Sequence, residues 1–70
     1  MTKKEIREVI ERRVSDLWIE QCEYEKRARK AESDGNFALA NHYTDNEMQA
    51  MRSRWELLDL AVELKIKVVF

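Results

Sequence analysis

The side chains best suited to chemistry in this sequence are one histidine, one cysteine and a basic run. His42 has Asp45 three residues on, a spacing at which a carboxylate orients an imidazole for proton transfer or metal binding. Either role needs further converging groups, and the neighbours Asn41, Thr44 and Asn46 are only neutral and polar. His42 is therefore read as a surface residue. Cys22 stands between Glu20 and Glu23, whereas a reactive thiol sits among cations or at a helix N-terminus. There is no glycine-rich phosphate loop and no nucleophile motif. A structural zinc needs about four ligands, and the chain has one Cys and one His. The sequence thus predicts no catalytic residue, no metal, no cofactor and no small-molecule substrate.

The basic run, Lys26, Arg27, Arg29 and Lys30, with Arg52 and Arg54 further on, carries two readings. As phosphate ligands, with Phe37 nearby for stacking, these side chains would contact RNA or DNA. As ordinary helix chemistry, Glu23 with Arg27 and Glu25 with Arg29 are i, i+4 pairs in the favourable order, and cations late in a helix complement its dipole. Acidic residues are interleaved throughout and the net charge is −1, so no global field draws polyanions or anionic membranes. The second reading is the stronger, and a nucleic-acid-binding hairpin is kept as the alternative.

These residues have to be placed by helices. The chain has 70 residues, no proline, one glycine and 39% charged residues, which is helix-forming composition and poor material for sheets. Thr2 and Glu5 have the spacing of a capping box, with Met1 and Ile6 placed as its hydrophobic staple, so a first helix is predicted over about 3–33. Gly35, within Asp34-Gly35-Asn36, is the residue free to enter the left-handed region and end it. Asn36 then caps a second helix, predicted over about 37–66 and continuous through the poor helix formers at 41–46. The fold class is all-α, an antiparallel two-helix hairpin, in a single domain over 1–70.

Steps of three and four give each helix a seam. On the first it runs through Ile6, Ile10, Val14, Leu17, Gln21, Tyr24, Ala28 and Ala31. On the second the predicted seam is Phe37, Ala40, Thr44, Met48, Met51, Trp55, Leu58 and Val62. Folding back at Gly35 then sets Ala31 near Phe37, Ala28 near Ala40, Tyr24 near Thr44, Leu17 near Met51, Val14 near Trp55 and Ile10 near Leu58. The last residues alternate with period two through Leu64, Ile66, Val68 and Phe70, and are predicted to pack as an irregular tail or to add as a strand to a partner.

A second apolar stripe on helix 2, Leu57, Leu60, Ala61 and Leu64 with Tyr43 toward the turn, is left over, as are Trp18 and Ile19 on helix 1. A chain this short needs a staple, and its single cysteine excludes an internal disulfide. The seven residues Leu57, Leu60, Ala61, Leu64, Trp18, Ile19 and Tyr43 are accordingly predicted as a partner interface. Its most economical form is a homodimer of hairpins making a four-helix bundle, with a hetero-complex as the other.

The outline resembles the small RNA-binding helical hairpins that dimerise into four-helix bundles, such as Rop. The likeness is one of architecture and carries no site residue over. Gly35-Asn36-Phe37, followed by Ala40 and Tyr43, resembles the turn and second-helix opening of a tetratricopeptide repeat, but it occurs once and without an internal period. The functional expectation is a small non-enzymatic interaction protein: an adaptor, regulator or inhibitor of the kind found among phage, plasmid and bacterial accessory proteins. The start of the chain lacks the apolar core of a signal peptide, and no run approaches the roughly 20 apolar residues of a membrane span. With one unpaired thiol the expected compartment is the cytoplasm.

Overall fold

The computed structural model describes residues 1–68. Two helices, α1 (Lys3–Ser33) and α2 (Phe37–Glu63), pack side by side as a helical hairpin. The result is a rod of 49 × 16 × 16 Å.

Helix α1 begins at its capping box. The Glu5 amide donates to Thr2 Oγ1 at 3.2 Å and the Thr2 amide donates to Glu5 Oε1 at 3.4 Å. The staple expected beside it does not form, since Met1 is 87% exposed. Ile6 turns inward instead and packs against the cluster of Ile10, Val14 and Ala61, which offers more apolar surface than one terminal side chain. At the turn, Asn36 Oδ1 accepts from the Leu39 amide at 3.2 Å and caps α2. Helix α2 is unbroken through 41–46.

Both helices end in the same hydrogen-bond pattern. After α1, Gly35 takes a φ of 79°, its amide donates to Glu32 O at 3.0 Å, and the Asn36 amide donates to Ala31 O at 2.8 Å. After α2, Lys65 takes a φ of 56°, its amide donates to Val62 O at 3.0 Å, and the Ile66 amide donates to Ala61 O at 2.9 Å. Each is a Schellman motif, which satisfies carbonyls that a helix end leaves open.

Helix α2 therefore stops at Glu63, short of the predicted 66. The alternation in the tail overrides continued helix, because the turn at Lys65 carries Ile66 into the core and Val68 onto the same cluster as Ile6. Fully burying an isoleucine is worth about 1.5–3 kcal/mol, against about 1–2 kcal/mol for an L-residue in the left-handed region. The tail packs on its own hairpin and, over the described residues, forms no strand. Val69 and Phe70, the end of the alternating run, lie outside the described residues.

The seam of α1 is the predicted one. Ile10, Val14, Leu17 and Ala31 are buried, and Ile6, Gln21, Tyr24 and Ala28 are half-buried. The seam of α2 is not. It runs through Ala40, Tyr43, Glu47, Ala50, Arg54, Leu57 and Ala61, all buried or half-buried, which lies one residue before the predicted set along most of the helix, a rotation of about 100°. Of the predicted seam, Phe37, Thr44, Met48, Trp55 and Val62 are exposed and only Ala40 is fully buried. The pairing shifts to match: the Tyr43 ring stacks on Tyr24 at 6.4 Å, and Ala61 joins Ile10 and Val14, while Leu58, predicted beside Ile10, packs against that cluster and Trp55 stays exposed.

Size complementarity explains the rotation. Alanines at 40, 50 and 61 let the backbones approach while Ile10, Val14 and Leu17 fill the space between, and alternating large and small residues across a seam packs without strain. The predicted face would have set Met51 and Trp55 against Leu17 and Val14, bulk against bulk.

The two left-handed residues give opposite expectations. A Cβ at Gly35 meets nothing within 4 Å, so Gly35→Ala should cost only the conformational term, about 1 kcal/mol. Lys65→Gly should raise stability by about 1 kcal/mol for the same reason. Urea midpoints at fixed protein concentration measure both, and an unchanged midpoint for Lys65→Gly would show that the Lys65 turn is not under strain.

Candidate functional site

Helical spacing divides the outside of the hairpin into two broad faces. On one, a shallow cleft of about 170 Å³ is lined by Arg13, Leu17, Glu20, Tyr24, Asn46, Gln49, Ala50 and Ser53, largely polar side chains. The other carries Trp18 and Cys22 from α1 and a continuous row from α2. That row, Met48, Met51, Trp55, Leu58 and Val62, continues the alternation of four and three that makes a bundle seam. Helix α2 thus carries two rows side by side; the hairpin consumes one and, through Leu58, part of the other.

The outer row is open at Met48, Trp55 and Val62. Trp55 is 53% exposed and Val62 is 75% exposed; Met48 is exposed, and Met51 and Leu58 are half-buried at the edge of the inner seam. Trp18 joins the same side through Arg54, whose guanidinium lies over the indole at 4.7 Å. A cation over an aromatic face is worth about 0.5–2 kcal/mol, more as it loses water. Arg54 is half-buried and its Nε has no hydrogen-bond partner, so stacking on Trp18 is the interaction that holds it. The indole is fixed by that contact at the edge of the apolar row.

The seven residues predicted as a partner interface do not form one surface. Ala61 is 2% exposed and Leu57 packs against its cluster, so both are spent inside the hairpin, as is Tyr43 in its stack on Tyr24. Leu60 and Leu64 are exposed on the flank of α2 away from the outer row. Ile19 is exposed on the back of α1. Only Trp18 lies on the apolar face. The signal for Met48, Trp55 and Val62 was visible in the sequence, but it was assigned to the inside.

The basic residues near the turn are likewise dispersed. Lys26 and Arg29 stand apart from Arg27 and Lys30, which share a cleft with Asp34 near the turn. Arg29 pairs with Glu25 at 2.6 Å, Arg27 lies 6.0 Å from the Tyr43 ring, Arg52 is exposed on α2, and Arg54 is held on Trp18. His42 Nε2 accepts from Asn46 Nδ2 at 3.3 Å; Asp45, the expected partner, makes no such contact among the described residues. Cys22 is a half-buried free thiol.

The outside also bears clefts larger than a bare seam predicts. One of about 320 Å³ near the turn is lined by Arg27, Lys30, Ala31, Asp34, Leu39 and Tyr43. Another of about 300 Å³ lies at the open end, between Lys3, Lys4 and Arg7 of α1 and Lys65, Ile66 and Lys67 of the tail. Comparison with known proteins adds no assignment: no family model, no curated protein and no solved structure matches this chain.

The assignment of inner and outer rows is open to a direct check. Ala50→Leu should cost about 1–3 kcal/mol by overpacking the seam, whereas Met48→Leu should change stability by less than about 1.5 kcal/mol. Equal, small effects in urea unfolding would mean that α2 is rotated differently from the arrangement described.

Proposed function

We propose that this protein is a non-enzymatic helical interaction module, an antiparallel hairpin that completes a four-helix bundle by packing the Trp18–Trp55 face onto a second copy of itself. The observation that carries this reading is the second row of α2, exposed at Met48, Trp55 and Val62 while the first seam is used internally.

Surface area supports it. The chain exposes 5494 Å², whereas a folded monomer of 8.4 kDa is expected to expose roughly 4600 Å². The excess of about 900 Å² matches the roughly 800 Å² that each partner buries in an interface of standard size. It arises because a rod has more surface than a sphere of equal mass, and laying two rods together removes it. Length supports the same occupant, since a face extending along a 49 Å rod is covered fully only by an equally long partner. A net charge of −1 sets up little repulsion between copies. An adaptor or regulator role fits this chemistry, since the exposed apolar row is a helical surface suited to another helix. Contact with nucleic acid through Lys26, Arg27, Arg29, Lys30, Arg52 and Arg54 is the weaker reading, since Arg29 is paired with Glu25, Arg54 is stacked on Trp18, and Arg27 and Lys30 share their cleft with Asp34.

Light scattering should give a molar mass near twice 8.4 kDa. Trp55→Glu combined with Val62→Glu should return the mass to a single chain with the helical circular dichroism retained, and Leu60→Glu should leave the dimer intact. A wild-type chain that stays monomeric at high concentration would overturn the self-assembled bundle.

A further inference from the structure

We propose that the cleft at the open end of the hairpin is a binding site for phosphate groups. Two stretches far apart in sequence build it. Lys3, Lys4 and Arg7 come from the first turns of α1, and Lys65 and Lys67 from the turned-back tail, with Ile66 between them. Five cationic side chains therefore line one opening of about 300 Å³, and among the described residues no acidic one is in its lining.

This convergence is specific to the open end. Over the rest of the rod charges are interleaved, and the basic residues near the turn are dispersed or paired. Of the acids at this end, Glu5 is bound into the capping box with Thr2, and Glu11 meets Arg7 only at 3.7 Å in an exposed pair, an interaction worth little in water. The backbone adds to the field. The amides of Lys3 and Lys4 are at the start of α1, before its first intrahelical bonds, where the helix dipole is positive. Like charges gathered with little counter-charge raise one another's free energy, and a multiply charged anion relieves that cost.

The tail is held in place by a residue chosen against backbone preference. A glycine would sit at the left-handed position 65 without strain, as Gly35 does at the equivalent position after α1, yet the chain has lysine there. Strained residues that place a functional group are a recurrent feature of binding sites. Lys65 thus combines a conformational cost with a cationic head on the cleft. The chemistry selected is a phosphate group carrying two or more charges, either on a small polyphosphate or repeated along a nucleic-acid strand.

Calorimetric titration with tripolyphosphate, and with a single-stranded 12-mer oligonucleotide, tests the proposal at low salt. Tripolyphosphate alone binding assigns a small ligand; binding of the oligonucleotide as well assigns a strand. In either case affinity should fall with salt. For a strand, Lys65→Gly and Lys67→Gln should each reduce the log–log salt slope by about 0.7–1; for tripolyphosphate each should weaken binding. Lys26→Gln with Lys30→Gln should leave binding unchanged. Lys65→Gly separates recognition from folding, because it is expected to bind more weakly while unfolding at higher urea. Absence of binding by both probes, or binding indifferent to Lys65 and Lys67, would overturn the site.

Discussion

Two helices joined by a short turn can bury one face each, and the width of the gap between them is set by the side chains that face across it. Here α2 contributes Ala40, Ala50 and Ala61 at the points of closest burial, so the gap is narrow and α1 supplies the bulk with Ile10, Val14 and Leu17. The rest of the structure follows from that division. The larger apolar residues of α2, including Met48, Trp55 and Val62, are turned outward by the same rotation that brings the alanines in. Because alanine buries little area, the seam also needs the tail, and Ile66 and Val68 extend the core at the open end.

The middle of the rod is where the seam is poorest in apolar residues. Gln21, Glu47 and Arg54 occupy seam positions there, and Gln21 Oε1 and Arg54 Nε are buried without hydrogen-bond partners. Leaving such groups unsatisfied costs about 1–3 kcal/mol each. Arg54 recovers part of this through its stack on Trp18. Polar groups inside a helical seam also disfavour slipped alignments, which would move them against fully apolar layers. The outer row passes over this same stretch, so a partner on the Trp18–Trp55 face adds apolar burial where the hairpin has least of its own.

Local polar signals in the sequence are legible where one residue type has one physical use, whereas the Met1–Ile6 staple yields to the stronger pull of the core on Ile6. The capping box at Thr2 and Glu5, the left-handed glycine at 35 and the asparagine cap at 36 all stand where composition and spacing put them. The seam of α1 was legible because that helix has only one apolar face. Helix α2 has two, one residue apart in phase, and periodicity alone does not rank them. Choosing by hydrophobicity favoured Met51, Trp55 and Leu58; the fold chose by fit, which depends on the facing helix and is invisible within either sequence segment. The early stop of α2 was missed for a related reason. Lysine at position 65 gives no helix-ending signal, and only the tertiary position of Ile66 makes the left-handed turn worthwhile.

The two surfaces proposed to act are separated by this architecture. The apolar face lies along the side of the rod and the cationic cleft at its open end, so covering the first leaves the second accessible. A two-fold bundle necessarily duplicates the cleft. If the hairpins align with their turns at the same end, both clefts share that end's opposite pole and present ten cationic side chains together; if they align head to tail, the clefts lie at the two poles of a rod about 49 Å long. The first arrangement would gather positive charge that a bound polyanion offsets, which would couple phosphate binding to assembly. The second leaves the two events independent. The alignment of the copies, set by how Trp18 and Trp55 pack across the interface, thus decides whether the end of the rod reports on its side.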